Sequence, residues 1–218
     1  SYVLKTKEGS IRSKKIVVAT NGFYQEGLIP QMDGRVLPVI SNIIVTRKLN
    51  EEEIKIHNFK TFSPIANTKN LLYYYRKLPD NRILFGTRGD LTGSNQSNLD
   101  MSKKMEKFLK DIFPAWSNVT IDYNWRGLIA LSQKLTPSIG KIESEEIYYG
   151  FGYNGVGVSA APWAGKQLSK LVFSSNSKEL DISKIYKGLP EKFIFPQLRT
   201  FYFRLAVWFY AIKDKLNI

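Results

Sequence analysis

The chain of 218 residues contains no cysteine and only one histidine, His57. The absence of cysteine excludes disulfide bonds, thiol catalysis and cysteine-ligated metal. One histidine cannot form a histidine-based metal cluster, so we predict no metal site. His57 is followed by Asn58 and Lys60 in a polar segment, which predicts a surface position for its imidazole.

Long apolar runs are also missing from the sequence. No run reaches the roughly 18 residues that a membrane-spanning helix requires, and the start of the chain has none of the features of a secretory signal peptide. These absences favour a cytoplasmic location.

Acidic residues are scarce, with 19 Asp and Glu against 32 Lys and Arg, which gives a formal net charge of +13. Such a charge suits an anionic partner: nucleic acid, an anionic membrane or an acidic substrate. The lysines are scattered, however, and no recognition helix, zinc knuckle or aromatic RNA-binding strand pair accompanies them. We therefore predict no nucleic-acid partner. A hydrophobic content of 43% is typical of a globular protein.

A glycine-rich stretch stands out in what the sequence does contain. Residues 147–149 are an apolar strand, four glycines follow between Gly150 and Gly157, and small and apolar residues then continue at helical spacing. Glycines are needed where the backbone takes positive φ or approaches a ligand closely. The first N–H groups of the helix favour a phosphate or another electron-rich group in the turn.

Two interpretations of this stretch follow from its spacing alone. Gly150-x-Gly152-x-x-Gly155 matches the dinucleotide fingerprint, but that motif needs a second strand and an acidic residue about 20 positions on. Glu179 lies at a suitable distance but follows the helix directly, without a strand. The other interpretation is a glycine turn that binds no ligand.

A third interpretation comes from a family resemblance. The run from Gly152 to Val158 resembles the C-terminal flavin motif of the FAD-dependent amine and amino-acid oxidoreductases of the D-amino-acid oxidase and glycine oxidase superfamily. The γ-glutamylputrescine oxidoreductase branch is the most similar. Other segments agree in the same order: IVVATNG at 16–22, RVLPV at 35–39, residues 74–88, Trp125-x-Gly127 and Pro137-x-Ile139-Gly140.

The resemblance implies an α+β fold, α/β in the complete protein, with an antiparallel substrate-domain sheet and the C-terminal part of a discontinuous FAD-binding domain. It implies four segments: residues 1–34 end the first FAD-domain segment, 35–124 form the substrate domain, 125–180 return to the FAD domain, and 181–218 form a helical tail. Complete members carry their GxGxxG unit upstream, so the chain is expected to be a C-terminal fragment that holds FAD poorly alone.

The implied activity is oxidation of a C–N bond in an amine or N-substituted amino acid, with FAD as the hydride acceptor. No side chain is assigned as an essential acid or base. The residues implied to bind FAD are Thr20, Asn21, Gly22, Gly152, Tyr153, Asn154, Gly155, Val156, Gly157 and Val158.

The residues expected to bind substrate are Tyr74, Arg88, Trp125 and Arg126. Many superfamily members carry a carboxylate-binding arginine two residues after the Trp-x-Gly segment, but Ile129 stands here. This departure weakens the case for a simple α-amino acid. Arg126, Lys134 or Arg88 would then supply the cation for an anionic group.

The neighbouring elements are predicted from pattern alone. Residues 71–76 and 82–87 form a hairpin, in which the three tyrosines 73–75 alternate between the two faces and divide between site and core. Residues 94–102 are predicted to be a polar loop, followed by an amphipathic helix that ends before Pro114.

The tail, 193–215, interleaves aromatic and basic residues. This pattern is typical of a peripheral membrane helix and also of a terminal helix that packs on its own domain. Two alternatives to amine oxidation also stay open. The chain is a basic binding module with no redox role, or a flavin-dependent hydroxy-acid oxidoreductase.

Overall fold

The computed structural model describes residues 1–173 and 181–216. Glu179 and the end of the predicted return segment lie outside this range. The strands are β1 Tyr2–Lys5, β2 Ser10–Ser13, β3 Ile16–Val18, β4 Leu37–Thr46, β5 Ile65–Ala66, β6 Tyr73–Lys77, β7 Ile83–Arg88, β8 Ile121–Leu131, β9 Ser138–Lys141 and β10 Ile147–Phe151. The helices are α1 Glu51–Ile56, α2 Asn95–Ile112, α3 Gly157–Phe173 and α4 Arg199–Leu216.

The chain divides into two compact units, and the predicted α+β class is confirmed. Unit 1 contains Ser1–Pro38 and Ile129–Thr200, and unit 2 contains Val39–Leu128 and Phe201–Ile218. The assignment of these units to a flavin domain and a substrate domain stays a prediction.

Unit 1 is built on the sheet β3-β10-β9. β10 runs parallel to β3 and antiparallel to β9. Helix α3 covers this sheet and buries Ala164 and Leu168 against Tyr148. A Cβ at Gly150 would lie 2.8 Å from Leu168 Cδ1, so this glycine allows α3 to approach β10 closely. Gly150 therefore has a role in packing.

Unit 2 is built on the sheet β5-β6-β7-β4-β8. The predicted hairpin is confirmed, because β6 and β7 pair antiparallel around a turn in which Asn81 takes φ of +64°. Asparagine tolerates this left-handed conformation better than most residues do. One face of the sheet packs on α2 through a core that includes Ile44, Phe85 and Met105.

The prediction of a loop over 94–102 is wrong, because α2 already begins at Asn95. The Ser94 hydroxyl accepts a hydrogen bond from the Ser97 N–H at 3.1 Å and caps the helix. The first turns of α2 are polar, so the hydrophobic pattern reveals only the later part of the helix. The N-cap residue marks its true start.

The prediction that the His57 imidazole is a surface group is also wrong in part, because the residue is half-buried. Its ring packs edge-on against Phe113 at 5.1 Å and Trp116 at 5.0 Å between ring centroids. His57 Nε2 is buried and has no hydrogen-bond partner among the described residues. The polar neighbours Asn58 and Lys60 conceal this environment, because burial of His57 depends on aromatic residues more than 50 positions later in the chain.

Within residues 1–173 and 181–216, none of the helices combines the length and the apolar character needed to span a bilayer.

Candidate active site

The parallel pairing of β3 and β10 brings the two predicted cofactor segments together. Parallel strands end at the same edge of a sheet, so residues 20–22 after β3 and 152–158 after β10 are neighbours. The Gly152 N–H donates to Asn21 Oδ1 at 3.1 Å and joins the two segments directly. The two segments are 130 residues apart in sequence, and the fold places them side by side.

The turn after β10 is held in shape by Asn154. Its Nδ2 donates to the Gly152 carbonyl, and its Oδ1 accepts from the Ser132 N–H at 2.9 Å. Its own N–H donates to the Ala130 carbonyl at 3.0 Å. Asn154 takes φ of +50°, which asparagine tolerates, and Gly155 takes φ of +97°, which glycine adopts without strain. Asn154 thus acts on the turn rather than on a ligand.

Three backbone positions of the turn are left with free donors, while the Val156 N–H between them donates to the Tyr153 carbonyl at 2.9 Å. The N–H groups of Gly155, Gly157 and Val158 donate to no acceptor in the part of the chain that the structure describes. The Val158 side chain is 97% exposed, and a Cβ at Gly155 would meet nothing within 4 Å. Helix α3 adds its positive N-terminal dipole at the same place. The turn therefore fits an electron-rich group that gains negative charge.

The remaining predicted cofactor residues differ in environment. Tyr153 is buried against Leu168 of α3, and burial raises the pKa of its hydroxyl. Thr20 and Val156 are exposed, and Gly22 is buried in a short 3₁₀ turn, Asn21–Phe23. The side chain of Tyr153 therefore belongs to the core, while the exposed backbone beside it faces solvent.

In unit 2, Tyr74 and Arg88 lie on one face of the five-stranded sheet. Tyr74 pairs with Gly86, two residues before Arg88, and a Cβ at Gly86 would overlap the Tyr74 ring. The Tyr74 hydroxyl lies 3.3 Å from Ser41 Oγ. Ser41 pairs with Arg88 across β4 and β7. A tyrosine, a serine and an arginine thus form one polar cluster on this face.

Trp125 lies on β8, the edge strand of this sheet. Its neighbour Asn124 donates to Ser102 of α2 at 3.3 Å, whereas Ile121 of the same strand packs against the core beneath α2. The described contacts do not join Trp125 to Tyr74 or Arg88. The Trp125 side chain is 45% exposed.

Tyr73 and Tyr75 lie on the α2 side, where their rings approach Phe108 at 4.7 Å and Phe113 at 5.4 Å between centroids. The predicted division of the three tyrosines between the two faces is confirmed. His57 packs on the same α2 side, against Phe113, so it is remote from the Tyr74 cluster.

Arg126, another predicted substrate residue, lies apart from Tyr74 and Arg88. It lies on the α2 side and donates to the Ser94 carbonyl at 2.8 Å, with Asp90 Oδ2 at 3.5 Å. Burial alone would raise the pKa of Asp90, but hydrogen bonds from Ser97, Gly93 and Thr92, together with the charge of Arg126, lower it. Arg126 is thus a partner for a buried carboxylate.

Arg88 has a different environment. Among the described residues its guanidinium makes no ion pair, and it lies over the Phe203 ring at 5.6 Å from the centroid. Burial lowers the pKa of Arg88, although an arginine stays charged at neutral pH. Arg88 also borders a cavity of about 380 Å³ between α2 and α4. A half-buried cation without a counter-charge is suited to bind an anionic group.

Sequence reasoning missed Ser41, Gly86 and Asp90. Gly86 is part of the strand motif that carries the resemblance. That it leaves room for the Tyr74 ring depends on the strand register, which the motif does not reveal. A cavity of about 790 Å³ in unit 1, bordered by Arg35, Lys141 and Tyr149, contains none of the predicted site residues. Lys134 donates to the Lys187 carbonyl at 2.7 Å in unit 1, and burial lowers its pKa.

The family comparison identifies the class of protein. A family model described as FAD dependent oxidoreductase, DAO, matches residues 1–171. The chain belongs to this family. The DAO family depends on FAD, and the role of the glycine turn in binding it stays a prediction. No second strand follows α3 in the described parts of the chain, as a dinucleotide fingerprint would require.

Curated relatives agree with the predicted branch. The chain is 28% identical to gamma-glutamylputrescine oxidoreductase of Escherichia coli K12, over 99% of this chain and 49% of that protein. It is 30% identical to the probable oxidoreductase OrdL of Haemophilus influenzae, over 97% of this chain and 48% of that protein. The chain thus spans about half the length of the curated relatives it matches.

Solved structures share the fold. Glycine oxidase from Geobacillus kaustophilus superimposes with a TM-score of 0.65 at 17% identity, over 83% of this chain and 46% of that one. L-proline dehydrogenase from P. horikoshii gives a TM-score of 0.61 at 22% identity, over 82% of this chain and 47% of that one.

Proposed function

We propose that the full-length protein containing this chain oxidises a C–N bond in an amine or N-substituted amino acid. Members of the DAO family depend on FAD, and E. coli gamma-glutamylputrescine oxidoreductase is similar along the whole chain. When bound, FAD accepts the hydride from the carbon next to nitrogen. The residues of this chain then have to bind the cofactor, bind the substrate and exclude water.

The observation that carries the proposal is the row of free donors in the turn after β10. The N–H groups of Gly155, Gly157 and Val158 would stabilise negative charge on the cofactor ring through fixed dipoles that need no reorganisation. Asn154 keeps these donors in place by tying the turn to Ser132. Asn21 adds a second tie through the Gly152 N–H.

The substrate is proposed to lie on the sheet face of unit 2 that carries Tyr74 and Arg88, with Trp125 contributed by the edge strand β8. Arg88 would bind an acid group of the substrate, since its charge has no partner in the described residues. The exposed ring of Trp125 would supply an apolar surface, and Ser41 would orient the Tyr74 hydroxyl. Arg126 is left out of this set because Asp90 and the Ser94 carbonyl occupy its donors.

No side chain of this set acts as a general base in the proposal. An amine substrate has only to lose its ammonium proton before the hydride leaves, and solvent can accept that proton. His57, the one imidazole of the chain, packs edge-on against the stacked rings of Phe113 and Trp116, on the other side of the sheet.

The test is the visible absorption spectrum of the gently purified full-length protein, before and after anaerobic addition of substrates. A flavin band at about 450 nm is expected, and amines or N-alkyl amino acids should bleach it. Bleaching by 2-hydroxy acids alone would contradict C–N oxidation while retaining the flavin. A colourless protein that takes up no added FAD would overturn the proposal and favour a basic binding module.

A further inference from the structure

Helix α4 packs on unit 2 through one face. Asp214 accepts hydrogen bonds from the N–H groups of Asn70 at 2.9 Å and Leu71 at 2.8 Å. Phe203 lies against the Arg88 guanidinium, and Val207 borders the cavity next to Leu71. Phe203, Val207 and Asp214 follow helical spacing and define the inner face.

The opposite face of α4 is apolar as well, and it is exposed. Its residues also follow helical spacing and form one row, which we call the outer stripe: Phe201, Leu205, Trp208, Ile212 and Leu216. Exposed fractions along the stripe range from 38% for Ile212 to 66% for Trp208. Monomeric soluble surfaces rarely expose a contiguous apolar row of this kind without a partner.

The charges beside the outer stripe are all positive. At 100° per residue, Arg204 and Lys215 lie along one edge of the stripe and Lys213 along the other. The one acidic residue of α4, Asp214, points to the inner face and is occupied by backbone donors. Tryptophan and phenylalanine flanked by lysine and arginine are the residues that favour the interface of a lipid bilayer.

From this charge complementarity we propose that the outer stripe of α4 adsorbs to an anionic lipid surface. The helix lies in the plane of the interface, with Leu205, Trp208 and Ile212 directed into it. Lys213 and Lys215 contact the anionic headgroups, whereas Arg204 donates to the Leu91 carbonyl at 3.3 Å. The surface is a binding site for membrane and is independent of the proposed oxidation.

The test is cosedimentation of the full-length protein with phosphatidylcholine vesicles and with vesicles that also contain phosphatidylglycerol. Binding is expected to the mixed vesicles only and should decrease as salt is added. Lys213→Gln with Lys215→Gln should weaken binding by about 25-fold, at about fivefold for each basic residue near an anionic surface.

The variant Leu205→Ser/Trp208→Ser removes the centre of the stripe and should abolish vesicle binding with flavin content and melting temperature unchanged. The matched control is Ile56→Ser/Leu99→Ser, which removes two exposed apolar residues from other helices of unit 2 and should bind vesicles normally.

Three results would overturn the proposal. The first is no binding of the parent protein to the mixed vesicles, and the second is equal binding by the parent and the stripe variant. The third is light scattering that shows a dimer for the parent and a monomer for the stripe variant. If the parent protein binds no vesicles and the stripe variant has a lower melting temperature in lipid-free buffer, then protein and not lipid covers this face.

Discussion

Arg88 and Arg126 differ in what surrounds their charges, and this difference predicts different kinetic effects. Arg88→Gln should lower kcat/KM by about 10- to 100-fold for substrates with an acid group, because a hydrogen bond to a charged group contributes about 1.5–3 kcal/mol. The loss should fall mainly on KM, since binding of a remote acid group is the same in the ground and transition states. Steady-state kinetics of the full-length protein measures both constants.

The matched control for Arg88 is Arg126→Gln. This change leaves the buried Asp90 carboxylate, whose side chain is 4% exposed, without its cationic neighbour. It should lower the melting temperature and leave KM close to its original value. A KM effect in the Arg126 variant equal to that in the Arg88 variant would contradict the assignment of these two arginines.

Glu53 is predicted to stabilise unit 2 in a pH-dependent way. Hydrogen bonds from Arg47, at 2.6 and 2.9 Å, lower the pKa of Glu53 to about 2. The pKa of Glu53 in the folded state is below its unfolded value of about 4.5. The Glu53 carboxylate therefore stabilises the folded state fully above a pH of about 4.5, and this stabilisation is lost as the pH falls toward 2. Glu53→Gln should cost about 1–2 kcal/mol at pH 7, after allowance for solvent screening.

Thermal unfolding at a series of pH values measures this effect. The gap in melting temperature between parent and Glu53→Gln should be several degrees at neutral pH and should close as pH falls below about 4. Glu51→Gln is the control, since Glu51 lies on the same helix with its side chain 85% exposed beside Lys55. An unchanged gap at low pH would contradict the role of the Glu53 charge.

Single residues show which features of the site were accessible from the sequence. The alternation of the tyrosines at 73–75 between the two sheet faces followed from the period of a strand. It is confirmed by the ring contacts of Tyr73 with Phe108 and of Tyr75 with Phe113 on the α2 side. The environment of the His57 imidazole and the position of Ser41 beside the Tyr74 hydroxyl could not be predicted from the sequence. Each depends on residues far along the chain that only the tertiary fold brings close.

The turn between β10 and α3 makes a prediction at the level of one element. Gly157 does not have positive φ, and a Cβ there would meet Tyr153 Cβ at an ordinary 3.6 Å, so a side chain should be tolerated by the fold. Gly157→Val would place its methyl groups beside the free donors and should weaken FAD binding by about 10- to 100-fold, as overpacking typically costs about 1–3 kcal/mol. Flavin content of the full-length protein measures this.

Variants at two other glycines test whether a loss of flavin comes from contact between the new side chain and the cofactor. Gly165→Val places the same side chain on α3 where a Cβ meets nothing within 4 Å, and flavin content should stay normal. Gly155→Val is a weaker probe, because φ of +97° strains any side chain at that position even without a ligand. Normal flavin in the Gly157 variant would rule out a close approach of the ring to this turn.

Elements were predicted well where local pattern decides and poorly where it does not. The β6–β7 hairpin and the apolar face of α2 follow from period and turn residues, and both are confirmed. The first turns of α2 carry no apolar pattern, and their helix depends on the Ser94 cap. The parallel pairing of β3 with β10 was not predicted, since no local pattern joins strands so far apart; the family resemblance implied only that the residues after both strands bind FAD.

At the scale of the whole molecule, the fold predicts which contacts to FAD this chain makes and which contacts the rest of the protein makes. A dinucleotide needs a glycine turn between a strand and a helix to hold its phosphates. In the described residues, β10, its turn and α3 form such a unit, and this turn is proposed to contact the flavin ring. The segment after β3 leads only into the 3₁₀ turn Asn21–Phe23.

We therefore expect the 218-residue chain, purified alone, to lose FAD during gel filtration, while the full-length protein retains it. Titration of the isolated chain with riboflavin and with FAD, followed by flavin fluorescence, distinguishes the two possible uses of the β10–α3 turn. Contacts to the ring alone predict equally weak binding of both compounds. Tight binding of FAD with no binding of riboflavin would instead mean that the free N–H groups of Gly155, Gly157 and Val158 hold phosphate.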